Sequence, residues 1–98
     1  MNLNGEIRIV VLSRGWIYIG KCYCTDLGQT FRIDQAYNIR RWGTERGLGQ
    51  IAINGPTENT VLDFYGEIEL EPINVLHTIV CDEEKWSEHY KAKRKFDD

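Results

Sequence analysis

The chain has 98 residues, 42% of them hydrophobic, with 12 basic and 15 acidic side chains and a net charge of −3. That is enough for one small domain spanning residues 1–98 with a limited core of its own, so a homo-oligomer with an even number of subunits is expected. No apolar run approaches the roughly 20 residues that span a bilayer, and the N-terminus MNLNGEIR has no secretory pattern, so a soluble, non-membrane protein of the cytoplasm is expected.

Residues Ile7 to Leu12, IRIVVL, are rich in β-branched types over a strand length. Arg14-Gly15 reads as a tight turn into a second strand, Trp16 to Cys24, on which Trp16, Tyr18, Gly20, Cys22 and Cys24 share one face. Asp26-Leu27-Gly28 is a further turn signal before a short strand through Thr30, Phe31, Arg32 and Ile33, which completes a three-strand meander. From Gln35 the period changes. Ala36, Ile39 and Trp42 recur every three residues and predict a helical turn or irregular backbone.

Leu48, Ile51 and Ala52 predict a short helix from about Leu48 to Asn54, stopped by Gly55-Pro56. Thr60 to Phe64 and Glu67 to Glu71 read as strands around a turn or bulge at Gly66, and Val75 to Cys81 as the last strand. Asp82 is a predicted N-cap for a C-terminal helix. Glu83 and Glu84 suit its first turn, and Lys91, Lys93, Arg94 and Lys95 its last, by the sense of the helix dipole. Trp86 and Tyr90, four apart, give that helix an apolar stripe for docking. The expected architecture is α+β: a strongly bent antiparallel sheet or small β-barrel with a short inserted helix and a C-terminal helix.

The charge is unevenly spread. Residues 31–50 carry +2 and residues 57–90 carry −8, so long nucleic acid, which needs a broad basic stripe, is an unlikely partner. A small anion needs only a local cluster. Residues 36–56 supply one, with Arg40, Arg41 and Arg46 as forked donors for phosphate, Trp42 as a stacking face and Thr44 as a hydrogen-bonding hydroxyl. Tyr18 and Tyr37 are secondary aromatic contacts. The glycine-rich run Gly43 to Gly49 precedes a predicted helix, the arrangement that cradles phosphates, but no lysine and Ser/Thr pair makes it a P-loop.

The two histidines stand in no recognised catalytic motif, so no enzyme activity and no catalytic residue is expected. Cys22 and Cys24 share a strand face, where Cys81 or His77 would have to complete a metal site. The spacing departs from the usual zinc pattern, and neither metal nor cofactor is expected. Two other readings remain open: an acidic inhibitor using Asp63 to Glu71 with the Asp82 to Glu88 helix against a basic host protein, and a small-barrel RNA-binding module.

Several landmarks taken in order resemble a family of small tailed-phage proteins. Gly15 to Gly20 resembles the family's G-V-x-x-G hairpin element, and Ala36, Ile39 and Trp42 its A-x-x-I-x-x-W-x-G segment, with Gly43 one place early. Leu48, Ile51, Ala52 and Gly55 resemble L-x-x-I-A…G, and Ile79 to Glu83 resembles an I-I-P-C ending without its proline. The resemblance covers about Ile7 to Glu84. It implies an anti-CBASS sponge: an immune-evasion protein that sequesters cyclic nucleotide messengers of bacterial anti-phage defence without cleaving them, as a homo-oligomer holding ligand at or near subunit interfaces.

Overall fold

The computed structural model describes residues 2–24 and 30–92. It contains β1 (Leu3–Leu12), β2 (Ile17–Cys24), β3 (Phe31–Arg41), α1 (Gly47–Asn54), β4 (Val61–Leu70), one turn of 3₁₀ helix (Pro72–Asn74), β5 (Val75–Val80) and α2 (Glu83–Ala92). The strands form one sheet in the order β4-β3-β2-β1-β5, with every neighbouring pair antiparallel. This is the α+β architecture expected, left open with β4 and β5 at its two edges. The predicted turn at Asp26-Leu27-Gly28 and the basic positions from Lys93 onward lie outside the described residues.

The two faces of the sheet bury different sets of side chains. Ile7 and Ile9 of β1, Ile19 of β2, and Tyr37 and Ile39 of β3 pack with Ile51 and Ala52 of α1 and with Cys81 and Trp86, so both helices lie on this face. The opposite face gathers Leu3, Val10, Tyr18, Cys22, Phe31, Ile33 and Ala36, with no helical residue among them. Val10, Cys22 and Ile33 are nevertheless fully buried. Strand side chains cover one another in this way only where the sheet is coiled.

Bulges supply that coil and switch the faces. Gly5, at φ +100°, sits where the β1–β2 register shifts between Asn4 and Glu6. Leu3 therefore joins the helix-free face while Ile7 joins the other. In β3 the shift falls between Ile33 and Ala36, at Gln35, whose φ is +52°. Ile33 and Ala36 thus share a face although three residues apart. The expectation of a helical turn or irregular backbone from Ala36, Ile39 and Trp42 is corrected: β3 runs on to Arg41, with Ala36 and Ile39 both buried but on opposite faces of the sheet. Gly66, at φ +83°, similarly lets β4 continue as one strand. It leaves Leu62 and Phe64 against one core and Ile68 and Leu70 against the other.

The C-terminal helix docks as its stripe predicts. Asp82 caps it, accepting from the Lys85 backbone N–H at 3.1 Å. Trp86 is fully buried and its indole N–H donates to the Ile51 carbonyl at 3.2 Å. The Asp82 N–H bonds the Ala52 carbonyl at 2.9 Å, which ties the two helices end to end. Tyr90 reaches β3, its hydroxyl donating to the Gln35 carbonyl at 3.0 Å.

Candidate functional site

The β1–β2 turn begins the site. The Leu12 N–H donates to the Trp16 carbonyl at 2.9 Å and the Gly15 N–H to the Leu12 carbonyl at 3.2 Å, with Gly15 at φ +85°. Glycine accepts that conformation without a Cβ clash. The turn presents Arg14 and leads into Trp16, which strand alternation places on the same side as Tyr18. Their rings are stacked, 6.2 Å between centroids and 9° between planes. Tyr65 of β4 meets Tyr18 edge-on at 5.5 Å. Trp16 is 49% and Tyr65 47% exposed, with Tyr18 buried between them. The three rings form a half-open aromatic shelf across β2 and β4.

Polar groups from β3 and β4 border the shelf. Tyr18 lies opposite Asn38, and Asn38 opposite Asp63. Asn38, itself buried, donates through Nδ2 to the Ile17 carbonyl at 3.0 Å, which fixes the row. Arg40 grips Asp63 in a bidentate fork, Nε to Oδ2 at 2.9 Å and Nη2 to Oδ1 at 3.0 Å. Hydrogen bonding to Asp63, and then its charge, raises the Arg40 pKa above its ordinary value. Burial, with the neighbouring Tyr65, pushes the Tyr18 phenol up. At neutral pH it is therefore a neutral donor. The fork uses two of the five guanidinium donors of Arg40.

A shallow cavity of about 280 Å³ lies here, lined by Arg14, Gly15, Trp16, Asn38, Ile39 and Arg40. It is near the lower limit of ordinary ligand pockets, roughly 300 Å³. Such a volume suits one base with its phosphate, and a larger ligand has to extend over the open rings. A roomier cleft of about 380 Å³ between Tyr37, Thr57, Thr60 and His89 has Glu58 on its wall and neither arginine nor lysine. It suits an anion less well.

The residues singled out from sequence do not all converge. Tyr18 and Arg40 belong to this site. Arg41 ends β3 exposed, beside a register shift between Ile39 and Arg41, and does not line this cavity. Tyr37 is only 3% exposed and packs on Phe64, His89 and Tyr90 at 5.2 to 5.7 Å, so it anchors α2 and lines the separate cleft beside His89, not this cavity. Trp42 is 41% exposed beyond the end of β3, with its carbonyl bonded by the Thr60 hydroxyl at 2.7 Å.

Thr44 turns its hydroxyl inward to the Gly47 carbonyl at 2.6 Å. Arg46 is exposed, and its backbone N–H is taken by the Gln50 side chain at 2.9 Å. That bond occupies an amide at the start of α1 which a phosphate would need. Gly43 serves a close crossing rather than a cradle: a Cβ there would meet the Asn59 carbonyl oxygen at 2.6 Å. Cys22 and Cys24 belong to the helix-free face and Cys81 to the other, so the sheet divides the thiols that a shared metal site would require.

Trp16, Tyr65, Arg14, Asn38 and Asp63 are the site members that residue-by-residue reading passes over. The i, i+2 spacing of Trp16 and Tyr18 is the one sequence signal for them. Among the described residues no helix is long and apolar enough to cross a membrane. No protein-family model and no curated protein matches the chain.

Proposed function

We propose that the protein binds a cyclic nucleotide messenger on the Trp16–Tyr18–Tyr65 shelf and holds it without cleaving it, as a phage-encoded sponge of anti-phage signalling. The observation that carries this reading is the half-exposed Trp16 ring, stacked on the buried Tyr18, beside two arginines, Arg14 and Arg40. An aromatic face takes any base, and a guanidinium fork takes the phosphate next to it. The resemblance to small phage proteins points to the same ligand class and to an even-numbered homo-oligomer.

The roles follow from chemistry. Trp16 stacks a base, Arg14 and Arg40 hold phosphate, and Tyr18 and Asn38 set the floor. Because the cavity takes only part of a cyclic di- or trinucleotide, a second base lies over Tyr65. A thermal-shift series with cyclic di- and trinucleotides, followed by linear RNA, tests the reading. A true ligand at a hundredfold excess over its Kd stabilises by about 2.7 kcal/mol, and it is recovered intact on denaturation. Recovery of a linearised nucleotide would replace the sponge by an enzyme, and a response to linear RNA alone would favour an RNA-binding module.

A further inference from the structure

The two edges of the sheet are unlike. β4 carries Asp63, Glu67 and Glu69, charges that keep a strand edge from pairing with another chain. β5, VLHTIV, has no lysine, no carboxylate, no proline and no glycine. Among the described residues it pairs with β1 on one side only. Three large apolar side chains stand exposed on it or just before it: Ile73 (89%), Leu76 (63%) and Val80 (65%). A neutral, six-residue, β-branched strand left bare at an edge is an aggregation hazard unless another strand covers it.

We infer that β5 is a homodimerisation edge, pairing antiparallel with β5 of a second copy to make one ten-stranded sheet. A charged partner has nothing to grip along β5, whereas the strand is complementary to itself. The chain carries net negative charge, and this edge brings two copies together without setting one carboxylate of the strand against another.

Symmetry then selects the register. A two-fold axis normal to the sheet keeps each face on its own side, so paired residues must share a face. An axis through Thr78, in the part of β5 beyond the register shift that leaves Leu76 as an extra residue between Val75 and His77, sets Val80 against that bulged Leu76 of the partner subunit, twice, and His77 against Ile79 of the partner subunit. The next same-face register, centred on His77, leaves Val80 without an apolar partner. The Thr78-centred pairing buries both exposed side chains and is the one assigned. The β1–β2 turn of the site adjoins the start of β5, its Ser13 N–H bonded to the Asn74 carbonyl at 2.9 Å, but the inference is argued from β5 alone and does not depend on the ligand.

Sedimentation of the full chain, with far-UV circular dichroism as a check on folding, tests this. The wild type should run at twice 11.4 kDa at micromolar concentration. Leu76→Lys alone and Val80→Glu alone should each run as folded monomers, because each buries one unpaired charge in the new pair. Combining them in one chain places each lysine opposite a glutamate and should restore the dimer. A monomeric wild type, a dimer indifferent to both single substitutions, or a double variant that stays monomeric would each overturn the inference. So would a monomer that takes up a neutral extended peptide along β5, since that would assign the edge to a heterologous strand.

Discussion

Arg40 and Asp63, 23 residues apart in sequence, meet through two nearly parallel hydrogen bonds of 2.9 and 3.0 Å on the rim of the aromatic shelf. An anionic ligand at this rim shares the guanidinium with a carboxylate already seated on it. Asp63→Asn removes the competing charge and leaves an amide of the same shape. The affinity for a cyclic dinucleotide should rise, whereas Arg40→Ala should lower it by about tenfold or more, the effect of losing a charge-assisted hydrogen bond to phosphate. Calorimetric titration of both variants measures the two signs. A fall in affinity for Asp63→Asn would show that the carboxylate contacts the ligand favourably.

Burial of Trp86 makes α2 part of the core. Trp86→Ala should destabilise by about 3 to 5 kcal/mol, through lost burial and the cavity left behind. Trp86→Phe retains most of the apolar surface but leaves the Ile51 carbonyl without its indole donor, so it should fall between alanine and wild type. Urea unfolding followed by circular dichroism separates the three. Equal midpoints for wild type and Trp86→Ala would contradict the docking of α2.

Burial pushes the Cys22 and Cys81 thiols up to about 12 from an ordinary 9.0. Unfolded, they ionise near the ordinary value; folded, they keep their protons. Between pH 9 and 12 the unfolded chain therefore binds fewer protons than the native one. Their contribution to stability is complete below pH 9 and is lost as pH rises toward 12. Thermal midpoints should decline over that interval, and Cys22→Ala should flatten the decline. Iodoacetamide at pH 8 should leave Cys22 and Cys81 unmodified in the native protein, as mass mapping can show.

The sequence is most readable where pattern and packing agree. β1 shows as a β-branched run and β2 by its alternation, and the Asp82 cap, the Glu83-Glu84 pair and the Trp86–Tyr90 stripe each describe α2 before any fold is known. β3 and β4 are harder because a single residue shifts their phase. Gln35 puts Ile33 and Ala36 on one face at a helix-like spacing, and Gly66 divides one strand into what reads as two.

The site was partly legible for the same reason. Trp16 and Tyr18 announce themselves by alternation, but Asp63 and Tyr65 join them only through the β3–β4 register, a long-range pairing that local spacing does not encode. The adjacent Arg40 and Arg41 look like one phosphate clamp, but in the fold Arg40 is gripped by Asp63 and lines the cavity while Arg41 does not line it.

Isothermal titration of wild type and Trp16→Ala with a cyclic dinucleotide tests the central claim most directly. Trp16 is half exposed, so its truncation should leave the fold intact, which circular dichroism checks. Stacking contributes about 1 to 3 kcal/mol per base, so the variant should bind roughly 5- to 150-fold more weakly than wild type, with the ligand chemically unchanged in both. Equal affinity of the folded variant and wild type, or no binding by wild type to any cyclic di- or trinucleotide tried, would contradict the account.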